Sequence, residues 1–176
     1  MNIKSFIRTV PDWPIAPVRF RDLSTLLRNP IGFTAAMDQL VEHYQGKSID
    51  AIAGMDARGF IPAAVLAYRL GKPLIMVRKK GKLPGATTRV GYSLEYGKAE
   101  LEVHMDAFAA GSRVLLLDDL IATGGTLLAA IQLIHRQGAL VPYAGAIVDL
   151  PELQGSARLR RMDVEVFALC SFTETE

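Results

Sequence analysis

The chain has 176 residues, half of them hydrophobic, which is enough for one domain with a full core and too few for two ordinary ones. Lys and Arg total 20 against 18 Asp and Glu, and the net charge of +2 gives no reason to expect a nucleic-acid or membrane partner. Cys170 is the single cysteine, so no internal disulfide forms. No apolar run approaches the roughly 20 residues that span a bilayer, and no apolar stretch ahead of a cleavage site follows Met1, so a reducing, cytoplasmic setting is expected.

Residues 1–29 break any regular rhythm. Pro11, Pro14 and Pro17 lead into Val18-Arg19-Phe20-Arg21-Asp22, too irregular for a long helix and too apolar for a solvated linker. This segment is read as a small N-terminal cap, or hood. Ile49 to Ala53 is the first strand, followed by the turn Gly54-Met55-Asp56-Ala57 and a helix from Arg58 to Leu70 that Gly71 closes. Leu74 to Val77 is the second strand. Arg78 to Gly91 carries Arg78, Lys79, Lys80, Lys82 and Arg89 among Gly81, Pro84 and Gly85, the composition of a basic, flexible loop.

Tyr92 to Tyr96 and Ala99 to His104 form a hairpin, with Leu101 and Val103 alternating against Glu100, Glu102 and His104. Residues 78–104 together are read as a flexible lid. A strand at Arg113 to Leu117, a turn at Asp118 to Gly125 and a helix from Thr126 to Gln137 make the clearest unit. Further strands are expected within Leu140 to Val148 and at Val164 to Leu169. The fold class is α/β: a doubly wound, mostly parallel five-stranded sheet with flanking helices, which binds ligands beyond the carboxyl ends of its strands.

The chemistry concentrates at Val114 to Thr126. A buried strand runs into Asp118-Asp119, and Ala122-Thr123-Gly124-Gly125-Thr126 opens a helix. The backbone N–H groups of those five residues can wrap a phosphate while the helix N-terminus adds favourable potential. Two acids cannot face that phosphate, but they suit the hydroxyls of a ribose whose 5′-phosphate fills the loop. The alternative is a plain Gly-Gly turn with a capping Asp119. Pyrophosphate leaving such a sugar needs cationic donors and a magnesium ion. Arg58 and the basic loop are the candidate donors.

Other nucleotide motifs fail. Gly46-Lys47-Ser48 ends like a P-loop, yet Val41 stands where that loop needs Gly, and no G-x-G-x-x-G follows a strand. His43, His104 and His135 match no zinc spacing and are read as solvated.

The stretch Val114 to Thr126 closely resembles the phosphoribosyl pyrophosphate (PRPP) signature of the type I phosphoribosyltransferases. Ala53 to Ile61, Val77 to Gly85 and Tyr92 to Gly97 resemble signatures of the adenine branch of that family, and the similarity runs from about Phe6 to Leu150. The resemblance implies transfer of a phosphoribosyl group from PRPP to adenine, with magnesium held mainly by the substrate and reached through water by Asp118 and Asp119. It implies that Arg58, Arg78, Lys79, Lys82 and Tyr96 serve pyrophosphate, with Arg78 acting across a homodimer interface.

It further implies that adenine lies between Phe20 and Leu150, its polar edge read by the backbone at Arg19 and Arg21. Glu95 takes or relays the proton of the imidazole ring. Relatives that use hypoxanthine or guanine are expected to carry a lysine on the late strand, and Val141 to Leu150 has none. Pro62 and Arg19 depart from the family pattern. The rival readings are a 6-oxopurine transferase and a PRPP-sensing regulator without turnover.

Overall fold

The computed structural model describes residues 1–93, 98–173 and 176. Its N-terminal segment forms a two-stranded antiparallel sheet, β1 (Arg8–Val10) with β2 (Phe20–Asp22), around the proline-rich loop. A short helix α1 (Ser24–Leu27) leads to α2 (Pro30–Tyr44). The long α2 helix lay outside the sequence expectation, although its start is well marked. Asn29 accepts a hydrogen bond from the Gly32 N–H at 2.9 Å, and Pro30 occupies the first turn.

The main sheet contains β3 (Ala51–Met55), β4 (Leu74–Lys79), β5 (Thr87–Ser93), β6 (Lys98–His104), β7 (Arg113–Leu117), β9 (Leu140–Asp149) and β10 (Glu165–Ser171), in the order β10-β9-β7-β3-β4-β6-β5. The two-residue β8 (Leu120–Ile121) pairs with β9. Strands β10, β9, β7, β3 and β4 run parallel, the five expected. The hairpin does not stand apart from them: β6 pairs antiparallel with β4 and extends the sheet.

Alternate side chains of the central strands feed two cores. Ala53, Met55, Val114 and Leu116 face α4 (Gly125–Arg136) and the hairpin residues Val90, Leu101 and Val103. Ile52, Leu115 and Leu117 face α2 and α3 (Phe60–Leu70). A sheet covered on both faces explains why β3 and β7 read as continuous apolar runs. The short helix α5 (Gly155–Arg160) packs against β10.

Four expectations change. The helix begins at Phe60, because Ala57 and Arg58 form turns whose carbonyls accept from Phe60 and Ile61. The basic loop shrinks to residues 80–86, since β4 runs to Lys79 and β5 starts at Thr87 rather than Tyr92. The turn after β7 holds β8. Glu102 does not point to solvent with its neighbours on the strand; it is 0% exposed.

Candidate active site

Chain order reverses between β3 and β7: β4 lies to one side, β9 and β10 to the other. Beyond the carboxyl ends of the two central strands lies a switch-point crevice, the usual ligand position in such a sheet. A cavity of about 1200 Å³ opens there, lined by Asp56, Ala57 and Arg58 after β3, Asp118, Asp119 and Leu120 after β7, Thr126 of α4, and Lys79, Lys80, Tyr92 and Glu100 from β4 and the hairpin.

Across the crevice the Arg58 guanidinium donates to the Asp119 carboxylate. Burial disfavours the Arg58 charge, but the hydrogen bond to Asp119 and the nearby charges of Asp119, Asp118 and Asp22 outweigh it, so the guanidinium is held more firmly protonated. Asp118 accepts the Asp119 N–H at 2.8 Å. Burial, followed by the charge of Asp119, pushes the Asp118 carboxyl well above the usual carboxylate range. Such a pair favours an incoming positive charge.

Arg78 donates to Asp56 at 2.9 Å, and the Lys79 N–H reaches the same carboxylate oxygen at 3.3 Å. Burial raises the Asp56 carboxyl, yet these donors and charges overcome it and leave Asp56 more acidic than usual.

The loop Ala122 to Thr126 enters α4 with Gly124 at φ +78°, a left-handed conformation that a β-carbon makes costly. No side chain caps α4, so its first-turn N–H groups are left for an anion. The loop is braced from behind: the Gly155 N–H donates to the Ala122 carbonyl at 3.0 Å, and Arg158 donates to the Thr123 carbonyl at 2.8 Å.

Among the expected pyrophosphate ligands, Arg58 and Lys79 line the cavity, while Arg78 is engaged by Asp56 beside it. Lys82 is exposed on the 80–86 loop and is not among the lining residues. Glu95 and Tyr96 lie outside the described residues.

Residues of the N-terminal segment meet Leu150 at a second pocket of about 510 Å³, lined by Val18, Arg19, Arg21, Leu150, Leu153 and Phe172 among others. Phe20 is not part of that lining; its ring packs edge-on to Trp13 with centroids 4.4 Å apart. The Arg21 side chain is 4% exposed and structural: it donates to Thr9 Oγ1 at 2.6 Å and to the Thr173 carbonyl at 3.1 Å, with its guanidinium 4.3 Å above the Phe172 ring. That locks the backbone of β2 in place, and a backbone so fixed can read the edge of a planar base. Among the described residues no group of three or more His, Cys, Asp or Glu is placed to hold a metal.

Residues 22–167 match the family described as phosphoribosyl transferase domain. An adenine phosphoribosyltransferase of a Marinomonas species is 54% identical over 170 residues, covering 97% of this chain and 94% of its own. The chain belongs to the adenine phosphoribosyltransferase family. The crystal structure of the adenine phosphoribosyltransferase from Thermoanaerobacter pseudethanolicus superposes with a TM-score of 0.90 at 39% identity, covering 97% of this chain and 98% of that one. The Saccharomyces cerevisiae adenine phosphoribosyltransferase, solved with an imino-altritol bisphosphate and adenine, superposes at 0.87 with 34% identity, covering 95% and 96%.

Within this adenine phosphoribosyltransferase framework, Arg58, the paired acids Asp118 and Asp119, and Thr126 line one cavity, while Ala122 to Gly125 are not among its lining residues. Asp56 and Lys80 also line the cavity, Lys80 having been read only as one cation of the basic loop, and Gly155 and Arg158 brace the loop before α4 without having been singled out. Asp56 and Lys80 were detectable in principle, since each directly follows a parallel strand; Gly155 and Arg158 come from a distant segment with no motif.

Proposed function

We propose that the chain transfers the phosphoribosyl group of PRPP to adenine, giving AMP and pyrophosphate, as a step of purine salvage. The observation that carries this is the Arg58–Asp119 pair spanning the switch point in one cavity with Asp118 and Thr126, the last belonging to the uncapped first turn of α4. It supports a 5′-phosphate on the N–H groups of Ala122, Thr123, Gly124, Gly125 and Thr126, with the ribose hydroxyls on Asp118 and Asp119.

The adenine ring nitrogen attacks the anomeric carbon as the bond to pyrophosphate breaks, its electron pair leaving on the pyrophosphate oxygen. Positive charge builds on the ribose, and the carboxylates of Asp118 and Asp119 stabilise it. Arg58, Arg78, Lys79 and Lys82 receive the leaving group, with Tyr96 adding a hydroxyl. Glu95 takes or relays the proton released by the imidazole ring. Adenine is held between Phe20 and Leu150, its amino group and ring nitrogen read by the backbone at Arg19 and Arg21. Residues 1–29 act as the hood and 78–104 as the lid of one catalytic domain. Much of the rate gain comes from position and charge rather than covalent catalysis.

The donor set fits magnesium carried on the substrate. Two adjacent carboxylates with a raised proton affinity at Asp118 favour a cation, and a magnesium ion also takes phosphate oxygens and water as ligands. When bound, the ion would neutralise pyrophosphate charge, reached through water by Asp118 and Asp119.

A homodimer is supported by exposed apolar side chains on α3 and β4. Tyr68 is 85% exposed, and Leu74 and Met76, 40% and 43% exposed, share one face of β4 with Arg78. A second copy covering that face would bring Arg78 to the interface. The free cysteine Cys170 accords with a reducing, cytoplasmic compartment. Adenine-dependent AMP formation from PRPP is the test.

A further inference from the structure

Glu102 is wholly buried, and its carboxylate ties the basic loop to the start of β5. One carboxylate oxygen accepts the N–H groups of Lys82 at 2.9 Å and Leu83 at 3.0 Å; the other accepts Arg89 Nε at 3.1 Å and Thr87 Oγ1 at 3.4 Å. A buried carboxylate is expensive unless its lone pairs are filled and a cation is near, and here both conditions hold. The loop it grips is the segment 80–86 between β4 and β5, where Lys82 is exposed, and Lys80 and Lys79 just before it line the main cavity.

Gly81 and Gly85 both take positive φ, and neither meets another atom within 4 Å of a built β-carbon. The segment therefore gets no packing at those two positions. Its ends are held by the Lys80 N–H on the Glu100 carbonyl at 3.0 Å and the Met105 N–H on the Ala86 carbonyl at 3.2 Å, and its centre is held by the pair of N–H bonds to Glu102.

We propose that Glu102 is a positioning residue for PRPP: it pins the centre of the basic loop so that the ammonium group of Lys82 is presented to the pyrophosphate end of the substrate. The proposal rests on the reading of that cavity as a PRPP site. The Glu102 carboxylate meets no reacting atom and acts only through the Lys82 and Leu83 backbone. The carboxylate suits this task because one oxygen holds two adjacent N–H groups while the other is neutralised by Arg89. A glutamine has no charge to strengthen the two N–H bonds, and with its oxygen turned to them it sets an NH₂ against the Arg89 and Thr87 donors, which pushes the side chain off the loop.

The test is steady-state kinetics of Glu102→Gln with PRPP and adenine varied separately, together with hydrogen exchange of the Lys82 and Leu83 amides. The expected result is a KM for PRPP raised roughly tenfold, the scale of one lost charge-assisted hydrogen bond, with the KM for adenine within about twofold and faster exchange at both amides. If that variant does not fold, Arg89→Gln, at a side chain about half exposed, should move the same quantities in the same direction by a smaller factor. A KM for PRPP unchanged in the folded variant, or a fall in kcat alone with amide exchange unchanged, overturns the proposal. Failure of the wild type to consume adenine would instead overturn the reading of the cavity.

Discussion

Gly155 makes the backbone brace of the phosphate loop testable with one methyl group. A β-carbon at this position would lie 2.7 Å from the Gly124 nitrogen and 2.9 Å from Ile121 Cγ2, and closer still to the Ala122 carbonyl oxygen. Ordinary contact begins near 3.4 Å, so Gly155→Ala must drive the loop and α5 apart by about 1 Å, because two of the three obstacles are backbone. The bond from the Gly155 N–H to the Ala122 carbonyl lengthens, and the Arg158 contact with Thr123 follows.

Overpacking of this kind costs about 1–3 kcal/mol of stability. A 1 Å misplacement of a group that positions substrate costs on the order of 100-fold in rate, or about 2.7 kcal/mol of transition-state stabilisation. The assay is kcat/KM for PRPP at saturating adenine, paired with a thermal melt. A folded variant whose kcat/KM stays within about threefold of the wild type would refute the brace, whatever its Tm.

Two further predictions concern the acids. Asp118→Asn should stop turnover yet raise Tm at neutral pH in metal-free buffer. The sign follows from the raised proton affinity of Asp118. The folded state holds that proton more tightly than the unfolded chain, so its contribution to stability is present at low pH and is lost as pH rises through the folded value. Asparagine stays neutral throughout, and the gap between the two melts should close toward the ordinary carboxylate range near 4; a lower Tm for the variant at neutral pH would contradict this. Glu95→Gln should lower kcat with little change in KM for adenine, and an unchanged kcat would remove Glu95 from proton transfer.

The parallel core was legible because its strands are buried on both faces and so appear as unbroken apolar runs, as at Val114 to Leu117. The loop Ala122 to Thr126 and the paired acids were legible because they are contiguous in the chain. Glu102 was not: alternation along β6 assigns it to the solvent face with Glu100, and only the fold of the 80–86 loop over the sheet buries it. The Arg58–Asp119 pair joins residues sixty-one apart, which only the switch in strand order brings together. Arg21 shows a third case, a buried charged side chain whose partners Thr9, Phe172 and Thr173 come from both ends of the chain. The small sheet β1–β2 was missed because its strands are only three residues each, too short for a period to show.

The central claim is the transfer of a phosphoribosyl group to adenine, and the most direct measurement is product formation from purified protein given PRPP, magnesium and either adenine or hypoxanthine. The account predicts AMP and pyrophosphate in equal amounts with adenine and far slower turnover with hypoxanthine. Faster turnover of hypoxanthine, or PRPP binding with no product from either base, would contradict it.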